Sequence, residues 1–512
     1  MRTEAGLAAA AGQESERLSL SALAAFGAGS AAGPAVEPRS LRIGMVHLGL
    51  GAFHRAHQAV YTEDAAAVSG DAGWGILGVT GRTAKVADAL QPQDGLYTVL
   101  TKAAGSREED SSARIIGSLR GVAFPGRDTP RVIQALAARE TTVVTMTITE
   151  KGYPRDASGH LALDSPAVAA DLAVLERDSR RPANSDDAAR TPLGLLARGL
   201  FARYRSSGAP LNVISCDNLS ANGSVTRTLV TEMAAAGGAG FRDWVRESVS
   251  FPDTMVDRIV PAATEADRRE AQTLLGLRDE GLVVAEPFGQ WILSDDFAAR
   301  RPAWELAGAV VTRDVRPFEA AKLRLLNGTH SLLAYLGALR GYRTIAEAAA
   351  DEELAAAAAA LQAEVLPTLS PPPGVDLAEY AAGILARFRN PALGHTTLQV
   401  AMDGSQKLPV RALGAVEDLL ARGVVPEALA RLVAGWMVFV YRGRDAFANE
   451  LPLQDPLAEV LAGKARGPQG GLVDRMFELP GVFSAPVAGN PGFRTAVAAH
   501  AAELLGSLSH SP

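Results

Sequence analysis

Three residues of the stretch KLRLLNGTH, residues 322 to 330, have the chemistry of a proton-transfer site: Lys322, Asn327 and His330. A lysine can carry a proton, an amide can donate to an oxygen that gains negative charge, and an imidazole can orient a hydroxyl or a carbonyl. They sit among Leu323, Leu325 and Leu326, in a run expected to be helical. At about 100° per residue the three positions fall within an arc of roughly 140°, so they can face one site. The structural alternative is a solvated helix face with a glycine defect.

Other segments carry further candidates. In HLGLGAFHRAHQ, Gly49 and Gly51 lie between an expected strand and an expected helix. A dinucleotide-binding turn needs glycines there so that the backbone can approach a pyrophosphate. Phe53 and Arg55 belong to the same cofactor-binding turn, Arg55 as a phosphate partner. The third fingerprint position is His54 rather than glycine. His47, His54 and His57 have no carboxylate at a convincing spacing, so a structural role is expected and no metal site. SCDNLSANG (215–223) follows another expected strand and places Asp217 and Asn218 where parallel sheets bind ligands, although Asx residues also simply end strands. In FPDTMVDRIVPA (251–262), Asp253, Asp257 and Arg258 serve either a site or a surface ion pair. Glu286 in VVAEPFGQW is explained equally well by structure.

The runs IGMVHLGLG (43–51), WGILGVTG (74–81), TTVVTMTIT (141–149) and LNVISCDN (211–218) read as buried strands, with helices at 164–176 and 223–236 between them. This alternation implies an α/β domain with a parallel-rich, Rossmann-type sheet. After about residue 310 the pattern becomes helical, at 318–338, 344–365, 376–388, 410–422, 426–440 and 493–507. The expected division is a loosely ordered leader over 1–38, a dinucleotide-binding domain over 39–310 and a mainly α-helical substrate-binding and catalytic domain over 311–512. With 512 residues, 47% apolar and 21% charged, the chain reads as a multidomain globular protein. A net charge of −7 without a basic stripe argues against nucleic-acid binding. The one cysteine, Cys216, excludes an internal disulfide and fits a reducing cytoplasm. No signal peptide and no membrane span is expected.

HLGLGAFHRAHQAVY, TITEKGYP, SCDNLSANG, FPDTMVDRIVPA, EPFGQW and KLRLLNGTHSLLAYLG stand in an order and spacing that resembles the polyol-specific long-chain dehydrogenase/reductase, or mannitol dehydrogenase, family. The resemblance runs from about residue 40 to the C-terminus. It implies a Rossmann-type domain and a helical domain with the substrate between them, and metal-independent hydride transfer with NAD(H) or NADP(H). In the family motif K-x4-N-x2-H the lysine is the general acid/base, and Lys322, Asn327 and His330 match it. The resemblance makes Asn218 a second donor to the reacting oxygen, Asp257 a substrate-hydroxyl contact and Glu319 a residue of the proton path. A lysine serves in this role when burial or a nearby cation makes it easier to deprotonate.

Two regions set the expectations for specificity. After the second strand, GVTGRTAKVAD has Arg82 and Lys85 but no acid before Asp88. An acid there would repel a 2′-phosphate, whereas Arg and Lys attract it. NADPH use is therefore expected beside NADH, unless both side chains are merely solvated. The stretch RFRNPALGHTTLQVAMDGSQKLPVR (387–411) looks most like fructuronate reductase, with Gln399 and Lys407 as substrate-binding residues. Gly394, His395 and Thr396 stand where that enzyme tends to show R-H-R, so a carboxylate needs Lys407 or another base. The resemblance implies an enzyme interconverting a ketose-type carbonyl and a secondary alcohol on a sugar, polyol or hexuronate. D-fructuronate to D-mannonate is the first choice, D-fructose to D-mannitol the second, and mannitol-1-phosphate 5-dehydrogenase the third. The alternative of another class is a non-catalytic nucleotide-sensing protein. A monomer is the family-based expectation.

Overall fold

Ile43–Leu48 is apolar apart from His47 and carries β-branched and aliphatic side chains on both faces, the pattern of a strand covered on both sides. In the computed structural model, which describes residues 15–24, 31–103, 111–180 and 188–509, it is the inner strand β1 of a six-stranded parallel sheet. The others are β2 (Gly75–Val79), β3 (Leu119–Ala123), β4 (Val143–Met146), β5 (Leu211–Ser215) and β6 (Val249–Ser250). Their spatial order is β3-β2-β1-β4-β5-β6, all parallel. This is the doubly wound Rossmann order, and the strand order reverses between β1 and β4. Helices cover the sheet: α1 (Gln58–Ser69), α2 (Pro125–Ala137) and α3 (Pro192–Ser206), with Leu136 of α2 and Leu200 of α3 in one core. The strands β3 and β6 were not foreseen. One carries Arg120 and Gly121 in its middle, and the other is two residues long.

The chain divides into two compact units between Val315 and Arg316. The described part of the expected leader is packed rather than loose. Leu18 is fully buried and its N–H donates to Arg278 O at 2.9 Å. Ala31–Ala32 pairs parallel with Ser112–Ile116. The apolar face Leu18/Ala22 was hidden by the surrounding Ala, Gly and Pro; residues 1–14 and 25–30 lie outside the description.

The second unit is helical. α4 (Arg316–Ala321) runs through a π-helical turn, Lys322–Asn327, into α5 (Gly328–Leu339). Every residue of α5 except His330 is buried, as expected for a helix apolar all round. The helix expected over 344–365 is two, Ile345–Ala350 and Glu352–Val365, because Asp351 takes an extended conformation and caps Leu354 N–H at 2.9 Å. No helix of the described residues is long and apolar enough to cross a membrane.

Beneath the first strand end, two histidines act as a spacer. The helix after β1 is broken at His57, giving Ala52–Ala56 and then α1. His54 lies flat on His47, ring centroids 3.4 Å apart and 12° from parallel. His47 is hydrogen-bonded to Thr145 Oγ1 (2.8 Å) and Thr147 Oγ1 (3.0 Å). Burial pushes His47 down to about 3 and His54 well below its ordinary range. Both are neutral at pH 7, and the stack fills the space that a third glycine would close. An unfolded histidine titrates near 6.5, so between there and about 3 the unfolded chain binds the extra proton and stability falls as pH falls. His47→Gln is expected to flatten stability against pH between about pH 4 and 6 by on the order of 1.4 kcal/mol per pH unit. Denaturant titrations at several pH values test this; equal slopes for both proteins would rule it out.

Candidate active site

The site in the first unit grows from the turn after β1. Gly49 and Leu50 N–H both donate to Val79 O, at 2.9 and 2.8 Å. Gly49 has φ +96°, and a Cβ there would lie 2.2 Å from Thr147 O, so only glycine fits. At Gly51 a Cβ would meet nothing nearer than Gly49 O at 3.6 Å. The second glycine thus leaves open the space that a pyrophosphate needs. This turn borders a groove of about 620 Å³ along the carboxyl ends of the strands. Among its described lining residues are the cations Arg82, Lys151 and Arg190 and no carboxylate. Groove, glycine turn and charge fit a dinucleotide.

Arg82 lines this groove, whereas Lys85 is exposed at the start of the helix Lys85–Leu90 and is not among the lining residues. Asp88 is paired with Arg127 at 2.8 Å. Phe53 is half-buried and stacked on His57, centroids 5.1 Å apart. Arg55 corrects the phosphate assignment: its guanidinium is buried, donates to the carbonyls of Gly51 (3.1 Å) and Gly281, and lies over the Tyr97 ring. It latches the turn to the protein body. Arg258 is no surface ion-pair partner either, since it donates twice to Glu286 O, at 3.1 and 2.9 Å. Asp257 is buried at the end of the strand Thr254–Asp257, in register with Gln290. Asp253 caps α6 (Asn222–Ala234) through Gly223 and Ser224 N–H. Asn218 is exposed just beyond β5. The neighbouring Asp217 is buried, and burial raises its carboxyl above the usual range against the pull of Tyr153, Ile148 and Thr149.

In the second unit Lys322 opens the π turn and Asn327 closes it, 8% and 6% exposed. Gly328 N–H reaches back to Leu323 O, five residues away. On a regular helix Lys322 and Asn327 would stand roughly 140° apart. A turn closed over five residues narrows that angle, so the regular-helix expectation is corrected to a narrower stripe. Leu325 and Leu326 fill the core behind it, and Arg324 pairs with Asp418 at 2.6 Å. Glu319 is half-buried one turn before Lys322. The buried Asn327 Nδ2 and His330 Nε2 have no hydrogen-bond partner among the described residues. His330 stacks between Phe388 (4.6 Å) and His395 (5.7 Å). Burial first, then His395, Arg411, Lys407 and Arg387, hold it well below the ordinary histidine range.

The AMDGSQKLP motif is a pedestal for Lys407. A Cβ on Gly404 would lie 2.4 Å from Trp436 Nε1, so glycine lets the segment seat on the core. Ser405 Oγ donates to Asp455, and Lys407 Nζ reaches Val400 O at 3.4 Å. A second π turn, Pro409–Leu413, carries Arg411, whose Nη1 donates to Ser331 Oγ at 3.1 Å. Gln399 is exposed on the helix Thr397–Ala401. Arg411 and Arg387 were not singled out from sequence, although they bound the quoted stretch 387–411; their positive field at His330 is what marks them. Among the described residues no three His, Cys, Asp or Glu side chains converge as metal ligands.

Comparison with known proteins follows this division. Residues 43–306 match the mannitol dehydrogenase Rossmann domain and 314–505 the mannitol dehydrogenase C-terminal domain. The chain is 43% identical to the uncharacterized oxidoreductase YdfI of Escherichia coli (strain K12), over 84% of this chain and 85% of that protein. It is 41% identical to D-mannonate oxidoreductase of the same organism, over 91% and 94%. The structure of Pseudomonas fluorescens mannitol 2-dehydrogenase, a ternary complex with NAD and D-mannitol, is similar with TM-score 0.82 and 33% identity, covering 96% of this chain and 99% of that one. The two domain matches together span nearly the whole chain, and it belongs to the mannitol dehydrogenase family of oxidoreductases.

Proposed function

We propose that the protein is an NAD(P)H-dependent reductase of a hexuronate ketone, converting D-fructuronate to D-mannonate. The observation that supports an anionic substrate is the positive field that Arg411, Lys407 and Arg387 put on the buried His330, together with the Asn327 Nδ2 that has no hydrogen-bond partner among the described residues. A buried donor without a partner costs about 1–3 kcal/mol, which a substrate oxygen repays. The three cations supply what the missing R-H-R arginines would. The 41% identity to D-mannonate oxidoreductase supports the same reading.

The nicotinamide, when bound, supplies the hydride. Lys322 gives the proton to the carbonyl oxygen and takes it back in the reverse direction, with Glu319 on the proton path. Asn327 donates to that oxygen, and Asn218 is the second amide assigned to it by its motif. Such donors are often worth about 2.7–4 kcal/mol each in the transition state. His330, kept neutral, orients a hydroxyl. Asp257 and Gln399 contact substrate hydroxyls, and the cation group holds the carboxylate.

In a panel of fructuronate, tagaturonate, fructose and fructose 6-phosphate, each with NADH and NADPH, fructuronate is expected to have the highest kcat/KM. Fructose ahead by tenfold, about 1.4 kcal/mol in transition-state binding, would replace this reading with mannitol 2-dehydrogenase. Cofactor binding without turnover on any of them would favour the sensing protein. Lys322→Ala is expected to lower kcat by roughly 10²–10⁴ with dinucleotide affinity nearly unchanged; near-normal kcat would remove Lys322 from the proton step. Because Arg82 lines the groove and Lys85 does not, Arg82→Asp is expected to reduce NADPH use more than NADH use in steady-state assays, and Lys85→Asp to discriminate less.

A further inference from the structure

Asp217 has no role in the chemistry above, yet its side chain is held by three hydrogen bonds at the strand ends. Its carboxylate accepts from Ile148 N–H (3.0 Å), Thr149 N–H (2.7 Å) and the Tyr153 hydroxyl (2.7 Å). The Tyr153 oxygen also lies 2.7 Å from Ser215 Oγ. One carboxylate at the exit of β5 therefore grips the exit of β4 and the turn Glu150–Gly152 behind it. Thr149 is held at φ +64°, ψ 162°. Only glycine enters that region without a clash at Cβ, and a β-branched residue stays there only when its surroundings hold it. Ile148, Thr149, Lys151 and Gly152 all line the groove.

We infer that Asp217 is a positioning residue that holds this wall of the groove in a conformation the backbone itself disfavours, and that it thereby sets dinucleotide affinity. The inference rests on the cofactor reading of the groove and is independent of which sugar is reduced. Without the carboxylate, Thr149 relaxes toward extended backbone and the wall turns.

The test is direct binding of NADH and of NADPH, without substrate, followed by nicotinamide fluorescence. Asp217→Asn keeps the shape but turns an N–H toward donors, and is expected to raise Kd at least about tenfold. Thr149→Gly adopts the same backbone without strain, so in that background Asp217→Asn is expected to cost no more than about threefold. Tyr153→Phe, which removes one of the three bonds, is expected to weaken binding less and to be rescued in the same way; that pair carries the comparison if Asp217→Asn fails to fold. Unchanged Kd with a lowered Tm, or an equal loss in the glycine background, overturns the inference. A parent protein that binds neither dinucleotide overturns it together with the cofactor reading. A substrate panel won by fructose overturns the hexuronate reading alone.

Discussion

One extra residue wound into the turn Lys322–Asn327 is the constraint on which the second unit depends. A helix has a fixed angle per residue, and residues five apart diverge on it. Widening one turn realigns them while α4 and α5 stay regular on either side. The turn is poor helix by itself. It persists because Leu325 and Leu326 and all of α5 but His330 are embedded in the core, so the chain cannot unwind the extra residue without pulling apolar side chains out. The same device recurs at Pro409–Leu413, which carries Arg411 to Ser331, next to His330. Two local departures from regular helix thus bring together groups that regular helices would fan apart.

The electrostatics of that cluster follow from burial. A buried imidazole stacked with Phe388 and His395, in the positive field of Arg411, Lys407 and Arg387, has nothing to gain from a further proton. It stays neutral, with one nitrogen able to donate and the other to accept. Polar chemistry and apolar packing are not in competition here, because the packing fixes the protonation state that the polar groups need.

Much of this was legible in the sequence. The four runs read as buried strands in the first half are β1, β2, β4 and β5, because strands covered on both faces announce themselves by aliphatic and β-branched composition. The π turn was not legible. Lys322, Leu325, Leu326 and Asn327 satisfy a helical pattern whether or not a residue is inserted, and only backbone hydrogen bonding tells the two apart. Arg55 was misassigned for a related reason. Sequence places it beside the glycine turn, but which way a side chain leaves a turn is set by partners far along the chain, here the carbonyl of Gly281 and the ring of Tyr97. The strained Thr149 reads as one more β-branched strand residue until its dihedrals are seen.

The groove, which has cations and no carboxylate among its described lining residues, has a consequence for how the molecule meets an anion in solution. The chain as a whole carries −7, so a dinucleotide far from it feels repulsion, whereas one at the groove meets Arg82, Lys151 and Arg190. Salt separates the two fields. At about 0.15 M ionic strength the screening length is about 8 Å, which cancels the distant repulsion but leaves much of the attraction inside the groove. Ordinary cellular salt therefore works in favour of capture: it quiets the acidic exterior and leaves the cationic interior to select what enters.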